Sequence, residues 1–315
     1  DLHRLMRRQR QMCIRDRMDI DFALDILHQA RSMGITAFQF SGGEPTLYPD
    51  FIIAVIREGQ KLSMRCHRPP TSGYIGRFPD KARDFMGRLK DVGYQSGFRL
   101  SLDFYHDYYA QDWADFTLFF GEFFSFRQFS IGCCGKERGR TERRLERYAD
   151  NLRDRGLEVT LRLSMGRMYL NGEKVKVGFW APTRPTYKEL NDSEFNFRKI
   201  NSRKGCLGPE GVGYLWVEPS GHLRICAGNA NVAIPDLVIG NLKKERLDGL
   251  MKKVYRKKAY RILAQDGPLG LVESIKKAEP ELFPADSLYT HRCELCYRIF
   301  TMKRSREILT SLKIL

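Results

Sequence analysis

Hydrophobic and polar positions follow two alternating periods over the first half of this chain. Apolar residues recurring roughly every three to four positions predict helices, and the short apolar runs between them predict buried strands. The predicted helices cover 18–34, 48–62, 79–93, 113–126 and 140–156, and the predicted strands cover 35–41, 63–68, 97–103, 127–134 and 157–165. Such alternation favours an α/β fold with a parallel sheet or barrel, whose chemistry lies at the carboxyl ends of the strands.

The pattern changes after about residue 165. The stretch "GYLWVEPSGHLRICAG" predicts a hairpin with residues 219–221 as its turn. Two helical stretches follow it, then "HRCELCYRIF" and a final helix. We therefore place a domain boundary between residues 165 and 166. The first domain, 18–165, is the α/β region, and the second, 166–315, is a smaller α+β domain.

Composition and charge narrow the class of protein. The 315 residues are 42% hydrophobic, which is enough for a sizeable core. No apolar run approaches the roughly 18 residues of a membrane helix, and the N-terminus has no signal-peptide pattern, so we expect a cytoplasmic protein with no membrane partner. The formal net charge of +16 indicates either a patch for anionic partners or lysines and arginines scattered over solvated helix faces.

Eight cysteines are present, and four of them form two spaced pairs. In an intracellular chain of this size, such grouping indicates metal or redox chemistry rather than disulfides. The pairs are Cys206 with Cys226, which surround the predicted hairpin, and Cys293 with Cys296, which form a Cys-x2-Cys motif. Four thiolates from these pairs suit a closed tetrahedral site, and the residues alone fit Zn²⁺ and an iron–sulfur cluster equally well.

The predicted strand 35–41 leads directly into Gly42, Gly43, Glu44 and Pro45. Adjacent glycines allow positive φ and a close approach of the backbone to a ligand. The glutamate that follows can accept a hydrogen bond from an amine, and the proline fixes the exit angle of the chain. An ordinary tight turn with an exposed glutamate fits the same four residues.

The wider stretch "FSGGEPTLYPDF" resembles the GGEP motif of the radical S-adenosylmethionine (SAM) enzymes. The resemblance extends through the alternating units to about residue 165 and implies a partial (β/α)6 barrel. In that family the motif binds the amino group of the methionine part of SAM. By this likeness Gly42, Gly43, Glu44 and Pro45 are SAM-binding residues.

Two further stretches share the resemblance. "TSG" at 71–73 stands where the family often has Thr-Asn-Gly, and Ser101 and Asp103 match its polar contacts to the cofactor. The resemblance assigns no catalytic residue in this chain. Cys133 and Cys134 follow a predicted strand, and they are either thiols facing the active site or packed side chains.

The defining Cys-x3-Cys-x2-Cys of the family, whose thiolates hold a SAM-binding [4Fe–4S] cluster, has no counterpart here, because Cys13 stands alone. Residues 12–17 read "MCIRDR", which resembles a translated transposon end from sequencing libraries. We therefore expect 1–17 to be non-native and the first strand and cluster loop of the barrel to be missing. The alternative is a natural member that lost its cluster. In either case we expect this chain not to cleave SAM reductively.

The second half of the chain carries an independent resemblance. Its Cys-x14-Gly-x4-Cys spacing, the later cysteine pair and the stretch "CAGN…VIGNL" are similar to the SPASM/twitch extension of radical SAM enzymes, in the shorter twitch form. The resemblance implies that one auxiliary [4Fe–4S] cluster is bound by Cys206, Cys226, Cys293 and Cys296.

The family implies an oxidoreductase in which a 5′-deoxyadenosyl radical, made from SAM, abstracts hydrogen from a substrate. We expect a peptide or protein substrate, with a small metabolite or nucleotide as the alternative, and an electron donor such as flavodoxin or ferredoxin. The alternative from another class is a non-catalytic four-cysteine zinc protein that binds nucleic acid through its basic surface. We expect no nucleic-acid partner, because the alternating pattern matches no common nucleic-acid module.

Overall fold

The computed structural model describes residues 17–41, 43–102, 110–134, 138–180, 199–201, 205–206, 214–226, 228 and 233–315, with the backbone alone at 134, 138 and 180. The chain divides into two compact units between Trp180 and Ala181. Among the helices in these ranges, none is both long enough and apolar enough to cross a membrane.

The first unit alternates helices with strands, so the predicted mixed α/β fold is confirmed. Its helices are α1 (Ile20–Ser32), α2 (Pro49–Lys61), α3 (Pro79–Asp91), α4 (Ala110–Phe123) and α5 (Arg138–Arg153). Its strands are β1 (Ala37–Phe38), β2 (Arg65–Cys66), β3 (Pro70–Thr71), β4 (Arg99–Ser101), β5 (Ser130–Cys134), β6 (Val159–Arg162), β7 (Arg167–Leu170) and β8 (Glu173–Trp180).

Local sequence signals set the helix ends. The carboxylate of Asp19 accepts a hydrogen bond of 3.0 Å from the backbone N–H of Phe22 and so caps α1. Proline occupies the first position of both α2 and α3, where its missing N–H costs no helical hydrogen bond. Glycine at position 34, with φ of +82°, follows α1 and turns the chain towards β1.

The strands form a two-stranded parallel sheet, β1–β2, and a six-stranded sheet in the order β3-β4-β5-β8-β7-β6. Within the larger sheet the pairs β3–β4, β4–β5 and β5–β8 are parallel, whereas β7 is antiparallel to both β8 and β6. The stretch that carries β2 and β3 belongs to both sheets, because β2 pairs with β1 and β3 pairs with β4. Within the described residues, the strands do not close into a barrel.

The hairpin β7–β8 corrects the predicted order of strands. The sequence indicated 157–165 as the last strand of the parallel run, but β6 lies at the far edge of the sheet and is antiparallel to β7. β8 instead takes the place beside β5, because its buried side chains Val175 and Val177 join the core on the same face as Ile131. The hairpin thus belongs to the sheet of the first unit, although the sequence boundary was drawn before it.

One face of the six-stranded sheet contributes to a single apolar core with side chains of α2, α3, α4 and α5. Its largest fully buried side chains are Trp113, Tyr148, Phe85, Phe98, Phe116, Phe120 and Phe129. Phe98 contacts Phe116 edge-on, with ring centroids 5.8 Å apart, which is a favourable aromatic geometry. Truncating one of these buried rings to alanine typically costs about 3–5 kcal/mol.

The second unit has an antiparallel sheet of β9 (Trp216–Val217), β10 (His222–Arg224) and β11 (Val238–Asn241), in the order β11-β10-β9. Its helices are α6 (Leu247–Arg256), α7 (Lys258–Gln265), α8 (Gly267–Lys276), α9 (Arg292–Thr301) and α10 (Lys303–Ser311). The predicted hairpin is confirmed: the N–H of Gly221, a residue with φ of +91°, donates to the carbonyl of Glu218 at 2.8 Å in the turn.

Candidate functional site

The GGEP turn follows the carboxyl end of β1. Gly43 adopts a φ of +61°, a left-handed conformation that glycine takes without strain, and Pro45 opens a single 3-10 turn, Pro45–Leu47. This path turns the Glu44 side chain into the protein, where the residue is only 8% exposed. The alternative of an exposed glutamate on an ordinary turn is therefore wrong.

Five hydrogen bonds from described residues hold the Glu44 carboxylate. Its Oε1 accepts from the N–H and hydroxyl of Thr46, at 3.1 and 2.7 Å, and from the hydroxyl of Thr71 at 2.7 Å. Its Oε2 accepts from the N–H of Ser72 at 2.6 Å and from the Ser72 hydroxyl. All five donors are neutral. This Glu44 network, formed by Glu44, Thr46, Thr71 and Ser72, joins the turn after β1 to the turn after β3.

The segment 71–73 is itself held from two sides. The N–H of Gly73 donates to the Thr71 hydroxyl at 3.0 Å, and the indole N–H of Trp113 in α4 donates to the Ser72 carbonyl at 2.9 Å. Gly73 has a φ of +76°, and a methyl group built on it would lie 3.0 Å from Leu100 and 3.1 Å from Trp113. The "TSG" segment thus needs glycine for both its backbone conformation and its packing.

The other predicted SAM-binding residues are described only in part. Gly42 and Asp103 lie outside the described residues. Ser101 ends β4, is partly exposed, and forms no side-chain hydrogen bond to any part of the chain that the structure describes. Pro45 is buried beneath the turn. Of the two candidate thiols, Cys133 is packed in the core.

The carboxylate of Glu44 has little remaining capacity for a ligand. A carboxylate offers about four lone-pair positions, and the five protein donors already occupy both oxygens. An amine bound there must displace a hydroxyl such as that of Thr46. The geometry therefore gives this side chain a positioning role in the turn.

The four cysteines predicted as ligands come from three separate segments of the second unit. The N–H of Cys206 donates to the carbonyl of Leu263 in α7 at 2.9 Å, which fixes the first segment. The preceding Gly205 has no room for a side chain, because a methyl group there would collide with the carbonyl oxygen of Ala264. Cys226 follows β10.

The third segment is the start of α9. Cys293 and Cys296 are three residues apart in this helix and so share one side of it. Gly228 lies against the sulfurs of Cys226 and Cys293, because a methyl group on it would be 3.2 and 3.1 Å from them. The N–H of Gly228 also donates to Cys226 Sγ at 3.1 Å. Because Gly228 has no side chain, the segment that carries Cys226 and the start of α9 can approach each other here.

Electrostatic interactions connect all four sulfurs. Burial, together with the nearby sulfurs of Cys293 and Cys206, raises the pKa of Cys226 to about 11. Burial and the sulfurs of the other three cysteines raise the pKa of Cys296 well above its usual value. We refer to these four residues as the cysteine group.

The donor chemistry of the cysteine group fits a soft cation, but its geometry is not that of a formed metal site. Within the described residues, no three His, Cys, Asp or Glu side chains are placed so that they could hold a metal ion. The sulfurs would have to draw closer and lose their protons to become ligands. The guanidinium of Arg292 donates to Cys206 Sγ at 3.9 Å, so one of the four sulfurs already lies beside a cation of the protein.

Three contributing residues were not identified from the sequence. Thr46 and Ser72 supply four of the five hydrogen bonds to Glu44, and Gly228 separates the sulfurs of two cysteines. Ser72 lies within the recognised "TSG" segment, which is the signal that could have identified it. The role of Gly228 depends on a long-range contact and has no local signal.

A comparison with known protein families finds no family model that matches this chain, and no curated protein sequence matches it significantly either.

Proposed function

We propose that this chain is a radical SAM protein, an oxidoreductase by class, in which the turns after β1 and β3 bind SAM and the cysteine group binds one auxiliary [4Fe–4S] cluster. The observation that carries the proposal is the Glu44 network. It brings together two motif segments that are 27 residues apart in sequence, at the carboxyl ends of parallel strands. Ligand sites in α/β folds are typically built at this edge.

The strand order supports a partial (β/α)6 barrel for the first unit and a twitch-like role for the second. Parallel strands follow one another in the order β1, then the β2–β3 stretch, β4, β5 and β8. The cysteine group supplies four soft sulfur donors, the number and type that one [4Fe–4S] cluster requires. A peptide or protein remains the proposed substrate, with a small metabolite or nucleotide as the alternative and a flavodoxin or ferredoxin as electron donor.

In the proposed function, the residues of this chain bind SAM and hold it in a fixed orientation. In an intact member of the proposed class, a SAM-binding [4Fe–4S] cluster held by Cys-x3-Cys-x2-Cys would supply, with SAM, the radical that removes hydrogen from a substrate. Glu44 fixes the turn that is proposed to bind SAM, and the Ser101 hydroxyl at the end of β4, which forms no hydrogen bond to a described residue, is proposed to bind the same ligand. The sequence has no Cys-x3-Cys-x2-Cys. We therefore propose that this chain binds SAM without cleaving it.

Metal analysis after reconstitution without oxygen tests the proposal. We expect about four irons and four sulfides per chain in the wild type. The double variant Cys293→Ser/Cys296→Ser should lose them, because it removes half of the ligands. The control variant Cys66→Ala changes a buried cysteine of the first unit and should keep the wild-type iron content.

Two outcomes contradict the proposal. Zinc without sulfide in the wild type removes the electron-transfer role of the cysteine group and favours the zinc-protein alternative, in which four thiolates hold the fold together. Failure to bind SAM in equilibrium dialysis contradicts the role of the GGEP turn. The double variant should bind SAM as the wild type does, so the two parts of the proposal are tested separately.

A further inference from the structure

The strand β8 presents lysines on one face and valines on the other. Val175 and Val177 are buried in the core, whereas Lys174 and Lys176 alternate with them and are exposed. Because side chains alternate across a strand, both lysines lie on the face of the sheet opposite the helices. At these positions, the face of the sheet opposite the helices is therefore charged and does not form a second apolar layer.

The register places more cations beside these lysines. Lys176 pairs with Arg167 of β7, and Arg167 pairs with Arg162 of β6. On the other side, Lys176 pairs with Ser130 of β5, which pairs with Arg99 of β4. Directly paired residues share a face, so four cations occupy one row across five strands. Like charges in direct pairs on neighbouring strands destabilise a sheet unless something offsets them.

A groove of about 510 Å³ opens at this part of the sheet. Its lining includes Arg68, Arg127, Met165, Arg167, Lys174 and Lys176. We refer to it as the cationic groove. Arg68 and Arg127 precede β3 and β5, so the groove lies at the amino ends of these strands, whereas the Glu44 network lies at the carboxyl end of β3. Its volume is typical of sites for small molecules.

The positive charge of the groove is not neutralised by the described residues. Within them, no carboxylate forms an ion pair with Arg127, Arg167, Lys174 or Lys176. Glu173, the acidic residue next to Lys174, accepts instead from the hydroxyl of Ser125 at 3.0 Å.

Arg68 is oriented by the fold without losing its charge. Its guanidinium donates to the backbone carbonyls of Ser96 and Arg127, both at 2.9 Å. These acceptors are neutral, so they hold the side chain at the groove but leave its positive charge in place. An arginine positioned in this way is prepared to meet an anion at a small entropic cost.

We infer that the cationic groove binds a small organic phosphate with at least two negative charges, of the nucleoside diphosphate class. Guanidinium groups donate to phosphate oxygens in bidentate fashion, and lysines add compact charge. The exposed side chain of Met165 provides apolar contact at the rim for the organic part of the ligand. A bound diphosphate also relieves the repulsion between Lys176 and Arg167. This site is separate from the proposed SAM site.

Titration calorimetry with ADP, inorganic pyrophosphate and adenosine tests this inference. We expect ADP and pyrophosphate to bind, more weakly at higher salt, and adenosine not to bind. The variant Arg167→Gln/Lys176→Gln should weaken ADP binding at least tenfold and keep its circular dichroism spectrum, because Lys176 is exposed, Arg167 is only half-buried, and glutamine is accommodated in place of either side chain. A matched control, Arg57→Gln/Lys90→Gln, removes two exposed cations from α2 and α3 and should bind ADP as the wild type does.

Three results overturn the inference. They are no binding of ADP or pyrophosphate at millimolar concentration, an equal loss of binding in the control variant, and binding of an acidic peptide in the groove with none of ADP. SAM binding should be the same in the groove variant and the wild type. A failure of the groove is therefore distinguishable from a failure of the proposed function.

Discussion

The Glu44 network and the cysteine group are both partly buried sets of polar atoms, but the protein satisfies them differently. The Glu44 carboxylate receives five hydrogen bonds from neutral donors. In the cysteine group, burial and the nearby sulfurs raise the pKa values of Cys226 and Cys296. The Glu44 carboxylate thus finds its hydrogen-bond donors within the protein. The four cysteines, in contrast, are stable as thiolates only when a cation binds among them.

The largest effect that the comparison predicts is at Glu44. Glu44→Ala leaves the donors of Thr46, Thr71 and Ser72 without their shared acceptor. We expect a loss of about 3–5 kcal/mol in the free energy of unfolding, because hydrogen bonds to a buried charge are strong and leave costly unpaired donors when broken. Urea denaturation followed by circular dichroism measures it.

The matched control for this variant is Glu146→Ala. Glu146 is an exposed residue of α5, so its removal should change the free energy of unfolding by less than about 0.5 kcal/mol. A loss at Glu44 as small as that at Glu146 would show that the network contributes little to the fold. The contrast between a satisfied Glu44 network and an unsatisfied cysteine group would then not hold for Glu44.

The second prediction concerns the cysteine group. Zn²⁺ added to the metal-free protein, at about 100 times its dissociation constant, should stabilise it by about 2.7 kcal/mol through mass action. The reason is that Zn²⁺ binds the four sulfurs where the fold brings them together, with release of their protons, and not the unfolded chain. Thermal unfolding with and without a chelator measures the shift. Cys293→Ser/Cys296→Ser should show no shift, and a shift of equal size in that variant would place the zinc elsewhere.

The third prediction, with the smallest expected effect, compares two glycine-to-alanine variants. It separates the cost of a strained backbone from the cost of poor packing in the turn after β3. Gly34 and Gly73 both have positive φ, but a methyl group at Gly34 meets nothing within 4 Å, whereas one at Gly73 meets Leu100 and Trp113. We expect about 1 kcal/mol for Gly34→Ala and about 2 kcal/mol for Gly73→Ala. The Trp113 fluorescence should change only in the second variant.

Equal losses from the two glycine variants would mean that the turn accommodates a side chain by moving Trp113. In that case the hydrogen bond from the indole to the Ser72 carbonyl does not fix the segment 71–73. The Glu44 network would then be held mainly by its own hydroxyl groups.

Local signals were sufficient to predict the helices of the first unit. Prolines at the first positions of α2 and α3 and the apolar periodicity between them are properties of short stretches, and the structure confirms both helices. The confirmed turn at Gly221 has the same origin, since a tight bend with positive φ requires a particular residue at one position.

The remaining features depend on pairings between distant residues. The partners of Glu44 include Thr71 and Ser72, which the sequence could identify as a motif but not as hydrogen-bond donors to this carboxylate. The pairing of β8 with β5 likewise depends on which of several strands pairs with the free edge of β5. The periodicity of a single strand does not show which strand will be its neighbour.

The position of β8 has a consequence for the order in which the sheet can assemble during synthesis. The ribosome releases β5 before α5, β6 and β7, and only then β8, the strand that covers one side of β5. Until β8 arrives, that side of β5 has unpaired backbone groups that can pair with another chain. The nascent protein therefore passes through an interval in which its central strand is an open edge, and the end of that interval is set by translation speed.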